Sequence, residues 1–108
     1  MDRLESVLGR RAPLVRILVG QFGFSEEDAE EFVSLAGEDL MESYRLRARD
    51  MATSELSAPE NVRELLGAIR GDRIADSLGI PASEVWSGLR VFVPRVLQLA
   101  DGRHLQGA

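Results

Sequence analysis

The 108-residue chain contains no cysteine, and although it carries 13 basic residues none is a lysine: every one is arginine. Without cysteine there is no thiolate nucleophile, no thiolate metal site and no disulfide framework. Without lysine there is no Schiff-base amine and no P-loop phosphate site. His104 is the single histidine; it follows Gly102 in a polar tail, with no orienting partner or pocket in view, so a general base is not expected there. Long apolar runs are missing too. Runs such as Ile17-Leu18-Val19 and Val91-Phe92-Val93-Pro94 fall far short of the roughly 20 residues that cross a bilayer. The opening Met1-Asp2-Arg3-Leu4-Glu5-Ser6 is charged on both sides of its first leucine and has no signal-peptide core. These absences predict a cytoplasmic protein that is not an enzyme, with no cofactor, no metal, no membrane segment and no small-molecule substrate.

What is present points to a helical core. The composition is 44% hydrophobic, and a chain of this length buries roughly 65% of its unfolded surface, enough to fold without a disulfide or a metal. Net charge is −5, which opposes broad binding to a phosphate backbone. One helical pattern is written twice, 56 residues apart: Leu18-Val19-Gly20-Gln21-Phe22-Gly23-Phe24-Ser25 answers Ile74-Ala75-Asp76-Ser77-Leu78-Gly79-Ile80-Pro81. Each copy reads as a short apolar helix, a glycine turn and a longer helix, so an internal duplication sets the architecture.

Spacing fills in the elements. Leu4, Val7 and Leu8 mark a first helix, and Pro13 suits the first turn of a second that ends at Gly23. Ser25, with Asp28 three residues on, predicts an N-cap, followed by a stripe of Ala29, Phe32, Val33, Ala36, Leu40 and Tyr44. Residues 50–57 read as a connector. Ser57 and Glu60 form a capping box for a helix carrying Val62, Leu65, Leu66 and Ile69, which Gly71 is expected to end. Asp72 is then expected to cap a short helix over 73–78. The last long helix is apolar on several sides, through Val85, Trp86, Leu89, Phe92, Val96 and Leu97, which predicts a central helix buried by its neighbours. Gly37 and Pro94, at nearly equivalent points, predict a break or bend in both long helices. The expected fold is therefore all-α: a single multihelical domain over 1–108 of about six to eight helices, built from two diverged helix-turn-helix-like repeats. Repeat one covers about 3–49, repeat two about 58–101, and 102–108 reads as a flexible tail.

The segment Asp72-Arg73-Ile74-Ala75-Asp76-Ser77-Leu78-Gly79-Ile80-Pro81-Ala82-Ser83-Glu84-Val85, with Leu89, then Phe92-Val93-Pro94-Arg95-Val96-Leu97 and the closing Asp101-Gly102, resembles the C-terminal part of the bacterial YidB-like family. The likeness covers about the last 40 residues and reaches the first half only through the repeat; the Gly-rich middle associated with that family is missing. It implies a bacterial, all-α protein of paired helical units and carries over no activity and no functional residue.

Four features bear on function. Ile74-Ala75, Leu78-Gly79-Ile80 and Val85 have the spacing of a helix-turn-helix, but the helix that would enter DNA offers Ser83, Ser87 and Arg90, and its first-repeat counterpart offers Glu26, Glu27, Glu30 and Glu31, which phosphates repel. Nucleic acid is therefore not the expected partner, and a DNA reader stands as the alternative. The same acidic run belongs to a helix start, where the macrodipole favours it, rather than to a calcium loop. Arg70-Gly71-Asp72 spells an adhesion tripeptide, yet in context it is a helix end and a cap. Finally, Trp86, Val91 and Val93 on the last helix are either core or a contact surface. The functional expectation is a protein–protein interaction module, with a protein partner or self-association, using Trp86, Val91 and Val93.

Overall fold

Two glycines turn the chain at equivalent points. In the computed structural model, which describes residues 3–48 and 59–101, Gly23 has φ 71° and Gly79 has φ 69°. Both are left-handed positions, where a side chain is strained and glycine is not. Gly23 N–H donates to the Val19 carbonyl at 3.1 Å, and Gly79 N–H donates to the Ala75 carbonyl at 2.8 Å. Val19 and Ala75 are themselves 56 residues apart, so the two corners are closed at matching positions.

The described residues form six helices and no strand: α1 (Arg3–Gly9), α2 (Arg11–Phe22), α3 (Glu26–Ala48), α4 (Pro59–Gly67), α5 (Gly71–Leu78) and α6 (Ala82–Asp101). The all-α expectation holds. Ser25 caps α3 as its spacing predicts, its hydroxyl accepting from the Asp28 N–H at 3.1 Å. The expected connector 50–57 with Ser57, His104 and the tail lie outside the described residues.

Three local expectations are corrected. Gly71 does not end a helix: α4 stops at Gly67, and Gly71 opens α5. The reason is steric. Gly71 is buried under Trp86, and a methyl there would lie 2.7 Å from the indole carbons Cε2 and Cζ2. Nor does Asp72 cap α5; it lies in the first turn, and Arg70 holds the N-cap position with no side-chain cap of its own. Lastly, of the break or bend expected at Gly37 and Pro94, the break is absent: α3 and α6 continue through both positions. Pro94 removes one hydrogen bond, but α6 is packed by α1, α2, α4 and α5, and tertiary burial outweighs a local loss of about 3 kcal/mol. Gly37 admits the Leu8 side chain of α1, whose Cδ2 would be 3.3 Å from a methyl at that point.

Helix packing is unchanged when the halves are exchanged. Within each half, α2 packs on α3 as α5 packs on α6, and α1 packs on α3 as α4 packs on α6. Between halves, α1 packs on α6 as α4 packs on α3, and α2 packs on α6 as α5 packs on α3. Burial along the long helices keeps the same register: Ala29, Phe32, Val33, Ala36, Gly37, Leu40 and Tyr44 are buried, and so are Val85, Gly88, Leu89, Phe92, Val93, Val96 and Ala100. Volumes are exchanged rather than copied. Phe32 answers Gly88 and Ala36 answers Phe92. The Phe32 ring lies over Gly88, where a methyl would be 3.2 Å from its Cζ, and meets Phe92 edge-on with centroids 5.6 Å apart. One large and one small residue at matched positions fill the space that two rings would overfill.

Candidate contact surface

Of the three residues singled out on the last helix, Val93 is wholly buried, so it packs the core and offers no surface. Trp86 and Val91 are half-buried and do not share a face: five residues of α-helix put them about 140° apart. Trp86 is committed to Gly71. Val91 instead belongs to a groove between α2 and α6, about 340 Å³ in volume and lined by Ile17, Gln21, Arg90, Val91, Pro94, Arg95 and Gln98. The surface reading is thus redrawn around Val91, without Val93.

The chemistry of this groove follows from the helix faces that form it. α6 turns its apolar sides toward the four helices packed on it, leaving a stripe of Ser83, Ser87, Arg90, Val91, Pro94 and Gln98 toward solvent, at spacings of three and four residues. Arg90 and Arg95 supply two guanidinium groups, Gln21 and Gln98 two carboxamides, and Ile17, Val91 and Pro94 an apolar floor. Pro94 has no N–H to return to the Arg90 carbonyl, which leaves a main-chain acceptor without its usual helical donor beside the groove. Among the described residues neither Arg90 nor Arg95 forms an ion pair. Gln21 is exposed.

A second groove, about 470 Å³, lies between α1, the start of α2 and α3. Its floor is Leu8, Val33, Gly37 and Met41, and its rim mixes Glu5, Glu38 and Glu42 with Arg11 and Arg45. The rim is internally compensated: Arg45 pairs with Glu5 at 3.4 Å, and Arg11 donates to the Ser34 hydroxyl at 2.6 Å.

Asp39 is a residue that spacing did not flag. Its side chain is 4% exposed, and among the described residues it is the buried charged group. From α3 it accepts the Arg70 backbone N–H at 3.0 Å on Oδ2 and the Arg70 guanidinium at 2.9 Å on Oδ1, with an Arg73 nitrogen 3.8 Å away. It therefore ties the residue that precedes α5 to a different helix. Burial pushes the Asp39 carboxyl up, but the two Arg70 hydrogen bonds and the charges of Arg70 and Arg73 outweigh it, and the pKa lies below the usual aspartate value. Arg70 is raised in turn, first by the Asp39 hydrogen bond. The matched position on α6 is Arg95, which is exposed. The two halves diverge at this point: α2 has 12 residues against 8 in α5, one extra helical turn, so α5 begins later and meets Asp39.

The acidic run on α3 is solvent-facing, with Glu26, Glu27, Glu30 and Glu31 all exposed and none in an ion pair among the described residues. Among the described residues no group of three acidic or histidine side chains is placed to hold a metal ion, and no helix is long and apolar enough to cross a membrane. Comparison with family models, curated proteins and solved structures finds no match.

Proposed function

We propose that the chain is a non-enzymatic protein–protein interaction module, and that the groove between α2 and α6 is its contact surface. The observation that supports this reading is two arginines without acidic partners on the rim of an apolar floor, in a chain of net charge −5. Arginine beside aliphatic groups is a common hot-spot combination, because the guanidinium gives directed hydrogen bonds while its stem and the floor exclude water. The test is affinity capture from native cells with the wild type and with an Arg90→Glu/Arg95→Glu variant. The reading expects a specific protein, or further copies of the chain, held by the wild type and lost from the variant. Equal recovery from both would remove this groove as the contact surface.

The second reading is a DNA-binding helix-turn-helix, motivated by the left-handed Gly79 joining α5 to α6. It weighs less, since the first two turns of α6 expose Ser83, Glu84 and Ser87 with no basic residue, and the matched turns of α3 are acidic. A salt-sensitive gel shift is its signature, and no shift at low salt ends it. The likeness to the YidB-like family belongs to the same proposal as a family assignment and adds no activity.

A further inference from the structure

The two long helices carry exposed charge of opposite sign at different points along their length. On α3 the exposed start carries Glu26, Glu27, Glu30 and Glu31; on α6 the positions that answer Glu27 and Glu31 are Ser83 and Ser87, and Arg90 and Arg95 follow further on, at the groove. Neither the four glutamates nor the two arginines find partners within the chain, among the described residues. The groove offers guanidinium donors, carboxamides and the Arg90 carbonyl. The start of α3 offers carboxylates and the free N–H groups of a first turn, of which Ser25 satisfies only that of Asp28. Each side supplies the groups that the other is missing.

From this complementarity we infer that the α2–α6 groove docks the acidic start of α3 from a second copy of the chain. The contact joins two different surfaces, so it is heterologous: the pair still has one groove and one acidic face free, and assembly continues into a ring or an open chain. The inference rests on the proposed interaction function and names its occupant. Because the attraction is between exposed charges, salt weakens it.

Sedimentation velocity on the purified full chain tests it at low and high sodium chloride. Concentration-dependent assembly is expected at low salt, with the apparent dissociation constant rising by at least about tenfold in high salt. Two charge-reversed variants, Arg90→Glu/Arg95→Glu and Glu27→Arg/Glu31→Arg, are each expected to sediment as monomers. All four sites are exposed, so both variants should keep wild-type helical circular dichroism. Mixed together they are expected to assemble again in one-to-one alternation, since the reversed groove of one now fits the reversed face of the other while the unaltered groove of the second still takes the unaltered face of the first. A wild type that stays monomeric at every salt concentration, or a mixture of the variants that fails to associate, overturns the inference. If the wild type is monomeric yet captures a different protein through Arg90 and Arg95, self-docking is wrong and the interaction function stands. If nothing is captured through those arginines, both fall.

Discussion

Gly23 and Gly79 sit in left-handed conformations with open space where a side chain would go, so the cost of replacing them is conformational and not steric. Gly23→Ala and Gly79→Ala should each destabilise by about 1 kcal/mol, and urea unfolding should show equal losses for the pair. Gly71 and Gly88 answer to a different cause, the approach of an aromatic ring. Gly71→Ala forces a methyl into the Trp86 indole and should cost about 1–3 kcal/mol, accompanied by a shift in Trp86 fluorescence. Asp39 joins the halves through charge. Its pKa falls on folding, so the ionised carboxylate contributes stability in full above the ordinary aspartate range and loses it as pH drops from about 4 through the lower folded value. Asp39→Asn should therefore cost about 2 kcal/mol at pH 7, the difference from wild type shrinking as pH falls below about 4. Melting curves from pH 7 to pH 2 check both the size and the sign.

At the scale of the helix, Pro94 lies within α6 at a half-buried position. Since the helix continues through it, Pro94→Ala restores an N–H to the Arg90 carbonyl and should stabilise by about 1–3 kcal/mol, read as a higher melting temperature. The predicted break failed for a definable reason: propensity is a local quantity, whereas α6 is held by four neighbours that the sequence does not display. Elements governed by local chemistry were legible. Ser25 announces its cap, the apolar stripe of α3 is buried at every position named for it, and the glycine corners fall where the repeat puts them. Elements governed by distant partners were not. Gly71 reads as a helix stop until Trp86 is placed over it, and Val93 reads as either core or surface until α6 is enclosed. Asp39 left a faint mark, an acid three residues after Ala36 within the apolar side of α3, but its partner Arg70 lies 31 residues away. The candidate groove was half legible: Val91 was named, while Arg90, Arg95 and Gln98 gain meaning only when α2 closes the other wall.

At the scale of the molecule, the two halves are interlocked and not merely adjacent. The first helix of each half packs on the long helix of the other, and the short helices do the same, so neither half keeps its buried surface when the other is removed. Fragments 1–52 and 53–108, prepared separately, should each show little helix by circular dichroism and should regain it on mixing, because a unit of this size is marginal and much of what each half buries lies against the other. One joint between the halves is where Phe32 lies over its own counterpart, Gly88, and meets Phe92 edge-on. Nuclear Overhauser spectroscopy of the intact chain reads that joint directly. Strong cross-peaks from the Phe32 ring protons to the Gly88 α-protons and to the Phe92 ring are the expected result. Spectra in which Phe32 contacts only residues of the first half would contradict the shared core.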